Sequence, residues 1–117
     1  MTDTNKPFFA PQLYIASGII DISFYTNAFG AIELMRFSND DGSIHVAELS
    51  IDGVIFYLHE EKLSAGHLSP QRINGITAVI GLFVSDVDMV MSKAIEAGAT
   101  LVSAAQSYDY GYRQGEI

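Results

Sequence analysis

Apolar positions recur along this chain at two periods. Between residues 85 and 98 they fall at Val87, Val90, Met91, Ala94 and Ile95, the spacing of one face of an α-helix. Asp86 or Ser85 stands where a helix cap is needed, and Gly98 where the chain must leave in a left-handed conformation. Upstream, Ile19, Ile22, Tyr25 and Phe29 form a second stripe, widened by Phe24 and Ala28 and ended by Gly30. Strand-like runs lie between: LYIAS at 13–17, then Ile32 to Ser38, Ser43 to Ile51, Val54 to His59, Thr77 to Val84, Thr100 to Ala105 and Tyr112 to Ile117. NDDG at 39–42 and the Asp52-Gly53 pair read as turns, the second a two-residue hairpin because glycine accepts the positive φ of a type I′ turn. Glu60 to Gly75, broken by Gly66 and Pro70, reads as a connecting loop.

The two helical stripes are copies of one design. Gly30 and Gly98, Ser17 and Ser85, and Ala31 and Ala99 share one offset of 68 residues, without a gap. The pattern predicts an α+β chain of two tandem βαβββ modules: residues 8–60, a connecting loop at 61–75, and a second module at 76–117 that lacks its last strand. An unpaired strand edge exposes backbone donors and acceptors, so the expectation is that the chain continues or that a partner covers the edge.

Strand parity separates a core from a second face. Leu13 and Ile15, then Val54, Phe56 and Leu58, then Ile80, Leu82 and Val84 are expected beneath the helices. The opposite parity carries Gln12, Tyr14, Tyr57, His59, Val79, Gly81 and Phe83. Such a mixture of aromatic and polar groups reads as a concave ligand-holding face, or as a solvated or dimer face.

Composition narrows the functions. Fourteen acidic residues against six basic ones give a net charge of −8, which argues against a nucleic-acid partner, since that affinity rests on Lys and Arg neutralising phosphates. No cysteine is present, so thiolate catalysis and Cys-ligated metals are excluded. The N-terminal MTDTNKPFFAPQ lacks a basic region followed by an apolar run, and no apolar stretch is long enough for a membrane helix. A cytoplasmic protein is expected.

FYTNAFGA at 24–31, HVAEL at 45–49, EAGA at 96–99 and YGYRQGE at 110–116, in that order around two βαβββ units, resemble the vicinal-oxygen-chelate superfamily of glyoxalases, bleomycin-resistance proteins and extradiol dioxygenases. Within it the chain is most similar to the PhnB-like subgroup, over about residues 10 to 117. The resemblance implies a homodimer. It also implies, in the metal-dependent members, a divalent ion held by the first and last strands of each half. Those positions fall on Ala10, on Ala78 or Val79, on Tyr57 and past Ile117. Alanine and valine offer no lone pair, and a neutral phenol is a poor ligand for a hard cation. No cofactor is therefore expected, and no metal at those positions.

Chemistry would then rest on other groups. His59 with Glu48 is the candidate catalytic pair, a proton-transfer reading; alternatively His59 is a solvated residue beside Glu60 and Glu61. His45 and Glu48, three apart on one strand, point to opposite faces. Gln12, Tyr14, Tyr57, Phe83, Tyr110 and Arg113 are the candidate ligand pocket, with Arg113 able to fork onto a carboxylate or phosphate or to pair with Glu48 or Glu116. His67 reads as exposed. Two functions stand: an enzyme of glyoxalase, lyase or isomerase type acting on a small organic molecule, or a non-catalytic protein that sequesters one. A ligand-free dimeric module is the third reading.

Overall fold

The computed structural model describes residues 6–117; residues 1–5, part of the segment read above for a leader, lie outside them. Six strands and three helices follow in order: β1 (Gln12–Ile15), α1 (Ser23–Phe29), β2 (Ile32–Ser38), β3 (Ile44–Ile51), β4 (Val54–Glu60), α2 (Pro70–Ile73), α3 (Val87–Glu96), β5 (Ser103–Ser107) and β6 (Arg113–Glu116), with a 3-10 turn at Leu63–Ala65. The mixed α+β class is the one the sequence pattern predicts.

β1 to β4 form one sheet in the order β1-β4-β3-β2. β1 runs parallel to β4, and the other two pairings are antiparallel. Asp52 and Gly53, at φ 51° and 86°, make the hairpin between β3 and β4 with positive φ at both central residues, as the sequence predicts. On one side of this sheet Ile44, Ala47, Leu49, Phe56 and Leu58 are buried with Ile22 and Ala31, and Leu13, Ile15, Ile19, Tyr25 and Ile51 pack on them. Val54, expected in that core, is exposed at the hairpin tip.

α1 is shorter than its apolar stripe. The Ile44 amide donates to the Ile19 carbonyl at 2.8 Å, which draws 19–22 alongside the start of β3 instead of into a helical turn. The Asp21 carboxylate then accepts from the Ser23 amide at 2.9 Å where the helix begins. Gly30 ends it at φ 67°, its amide bonded to the Thr26 carbonyl. α3 begins and ends as its pattern predicts: Asp86 Oδ1 accepts from the Met89 amide at 3.0 Å, and Gly98 has φ 118°.

The second half departs most from expectation. Residues 77–84 form no strand. A strand is stable only within a ladder, and among the described residues none pairs with this segment. Ile80 and Leu82, expected in the core, are accordingly exposed. The strand expected at 100–105 is displaced to β5, which pairs antiparallel with β6 in a separate two-stranded sheet. α3 lies close over β6, where Gly115 carries no side chain; a Cβ there would stand 2.4 Å from Met91 Sδ. α1 and α3 pack on one another, and the buried residue of each is an alanine, Ala28 and Ala94. Among the described residues no hydrogen bond joins 6–75 to 77–117.

Candidate functional site

Strand register places the candidate side chains in rows. Gln12 on β1 is opposite Tyr57 on β4, which is opposite Glu48 on β3, which is opposite Met35 on β2. Two residues along, Tyr14, His59, Val46 and Phe37 are opposite one another in the same order. Leu13, Leu58 and Ala47 belong to the intervening row and to the core. Because side chains alternate across a strand, the rows that begin with Gln12 and Tyr14 occupy the side of the sheet away from the core. Burial, then the charge of Glu48, pushes the Tyr57 phenol above its ordinary value, so it stays protonated and able to donate.

Tyr14 anchors an aromatic series. His67 stacks on it with ring centres 4.7 Å apart and planes at 23°. Its other neighbour, His59, stands edge-on at 6.0 Å, and His45 meets His59 at 5.1 Å. His67 is thus not the exposed loop residue expected. Reciprocal backbone hydrogen bonds between Lys62 and His67, at 2.8 and 3.0 Å, fold the loop back over β1. His45 reaches His59 from the start of β3, where the pairing with β2 slips between Phe37 and Ser38. Sequence reading missed this gathering because it depends on the parallel β1–β4 register and on the loop's return.

Gln12 and Tyr14 also line a groove of about 350 Å³ along β1, whose other walls include Tyr25, Leu68, Ile73 and Ile76. The loop forming its far wall is pinned by Glu61. This buried carboxylate accepts from the Ser69 amide at 3.0 Å through Oε2, and from Arg72 Nη2 and Nε at 2.7 and 3.0 Å through Oε1. The Arg72 guanidinium first, and the Ser69 amide second, hold Glu61 down at about 2.

The remaining candidates lie in the second half. Phe83 stands edge-on to Tyr112 at 6.3 Å, and Tyr112 meets Tyr110 at 5.7 Å. Arg113 pairs with neither Glu48 nor Glu116, one of the two alternatives its sequence position left open. It forks onto Asp88 of α3, Nε to Oδ2 and Nη2 to Oδ1, both at 2.9 Å, because its side chain leaves β6 on the α3 side. Among the described residues no aromatic contact joins Phe83 or Tyr110 to the rows on the first sheet.

The metal positions implied by the resemblance do not fit a metal here. Ala10 and Val79 carry no donor atom, and Tyr57 is held protonated.

Comparison with solved structures gives the fold. The chain resembles a glyoxalase/bleomycin resistance protein/dioxygenase family enzyme from Burkholderia phytofirmans at TM-score 0.52 and 23% identity, over 89% of this chain and 84% of that one. TioX from Micromonospora sp. ML1 gives 0.58 and 23%, over 92% and 87%, and the Arabidopsis thaliana AT5G48480 gene product 0.63 and 25%, over 85% and 79%. The fold is therefore that of the glyoxalase/bleomycin resistance/dioxygenase proteins. No protein-family model matches the chain. Two mycobacterial proteins, Mb0911c of Mycobacterium bovis and Rv0887c of Mycobacterium tuberculosis, are 33% identical to it over 115 residues, 96% of this chain and 76% and 68% of theirs. The chain belongs to the family of these mycobacterial proteins.

Proposed function

We propose that the chain handles a small, partly aromatic organic molecule on the coreless side of the β1–β4 sheet, without a metal at the family positions. The observation that carries this reading is the pair of cross-strand rows, Gln12-Tyr57-Glu48 and Tyr14-His59-Val46. They set rings, an amide, a phenol donor and one carboxylate on a single surface beside the groove. Flat rings would contact Tyr14 and Tyr57, and polar substituents would meet Gln12, Glu48 or His59. The PhnB-like subgroup is our closer assignment, on the quoted motifs.

Sequestration without turnover is the second reading, favoured by the absence of donor atoms at Ala10 and Val79. In either case we infer a homodimer, in which a second copy covers Phe83 and Val79, now exposed at 83% and 68%.

A thermal-shift screen with planar aromatic compounds, run beside an assay for hemithioacetal consumption, tests these readings. A ligand that raises Tm in the parent but not in Tyr14→Ala or Tyr57→Ala supports the surface. Consumption that disappears in His59→Ala makes the protein an enzyme. Ligands whose effect survives both tyrosine variants overturn the proposal. Sedimentation at a monomer mass across a concentration series overturns the dimer.

A further inference from the structure

We propose that His45 and His59 form an open, two-imidazole site for a borderline divalent ion, Cu²⁺ more tightly than Zn²⁺, at the end of the sheet where β3 begins and β4 finishes. This site is separate from the positions Ala10, Tyr57 and Val79 discussed above.

The inference begins with Glu60. Its carboxylate Oε1 lies 2.8 Å from His45 Nδ1, and its backbone carbonyl lies 2.8 Å from His59 Nδ1. An ionised carboxylate and a carbonyl can only accept hydrogen bonds, so each Nδ1 carries the proton. The lone pair of each ring therefore resides on Nε2. Neither Nε2 has a hydrogen-bond partner among the described residues; the His45 side chain is half exposed, and the half-buried His59 leaves no buried nitrogen without a partner, so its Nε2 also touches solvent. Nδ1–H donated to a carboxylate or a backbone carbonyl, with Nε2 bare, is the outer-shell arrangement that orients metal-binding histidines. Asn39 Nδ2 donates to the other Glu60 oxygen at 3.2 Å, which fixes the carboxylate in turn.

The spacing agrees. Two imidazoles bound to one tetrahedral ion at about 2.0–2.1 Å keep their ring centres about 5 Å apart; those of His45 and His59 are 5.1 Å apart with planes at 62°. Among the described residues no third His, Asp or Glu converges with them, so the other coordination positions fall to water or to a ligand on the same sheet face. Imidazole pairs favour Cu²⁺ over Zn²⁺ by the Irving–Williams order and do not favour Mg²⁺ or Ca²⁺. The net charge of −8 draws cations toward the surface.

Calorimetric titration of the full chain, first with Cu²⁺ and then with Zn²⁺, in a buffer free of imidazole and chelators, tests the site. One ion per chain is expected, reversible by EDTA. Affinity should fall at least tenfold in His45→Ala and in His59→Ala and remain unchanged in His67→Ala, whose ring packs on Tyr14 instead. Glu60→Ala should weaken binding by about 10–100-fold with stoichiometry kept, the usual effect of losing an outer-shell partner. Long-range ¹H–¹⁵N spectra of the parent protein supply a reading independent of variant folding: Zn²⁺ should move the Nε2 resonances of His45 and His59 and leave those of His67 in place. No saturable binding, binding that survives both histidine variants, or perturbation centred on His67 overturns the proposal.

Discussion

Arg72 reaches back across the connecting loop to place two guanidinium nitrogens on one oxygen of Glu61, at 2.7 and 3.0 Å. Glu61 directly follows β4 and Arg72 lies in α2, so this ion pair closes the loop against the groove wall.

The pair makes stability depend on acid. Glu61 is lowered from an ordinary value of 4.5 to about 2, with Arg72 the leading cause. Its contribution is therefore complete above pH 4.5 and is lost as pH falls through 2. Thermal unfolding followed from pH 7 to pH 2 should show Tm falling across that window. Glu61→Gln should have a lower Tm than the parent at pH 7, and the two curves should converge toward pH 2.

Two phenols respond to base. Burial raises Tyr25, and burial followed by the charge of Glu48 raises Tyr57. Both hold their protons in the folded state after the unfolded chain has lost them, so stability falls as pH rises past 10. Tyrosinate absorbance of the native protein should include a late component that shrinks in Tyr25→Phe and again in Tyr57→Phe.

Residues 77–84 have no backbone partner among the described residues. Their amides should exchange with deuterium far faster than those of β3, which is paired on both edges. In a dimer that covers this segment the exchange should slow as protein concentration rises.

The elements that could be read from sequence are those specified by local chemistry. Asp86 caps α3, Gly30 ends α1, and Asp52-Gly53 adopts the positive φ of its turn; each needs only its immediate neighbours. Thr77 to Val84 carries the same β-type residues as the strands that formed, yet it has no ladder to join. The rows of Gln12 with Tyr57 and Tyr14 with His59 were half legible. Parity put these side chains on one face, and only the parallel pairing of β1 with β4 put them opposite one another. His67 could not be placed on Tyr14 from the sequence, because the Lys62–His67 backbone pair that returns it has no signature in residue type.

Ala94 on α3 is fully buried, and α3 packs on α1. Ala94→Leu should overpack the buried side of α3 and cost about 1–3 kcal/mol, read as a lower denaturant midpoint with the slope unchanged. Ala28→Leu should act in the same direction.

The α1–α3 seam has a further consequence for how such a chain diversifies. Among the described residues no hydrogen bond joins the two halves, so no directional bond in the seam distinguishes a helix of the same chain from the matching helix of another copy. Exchange of halves between copies would then be governed by the reach of the tether at 61–75. Glu61 and the Lys62–His67 backbone pair cinch that tether together, so substitution at Glu61 loosens it and moves the population between self-contained and interlocked forms.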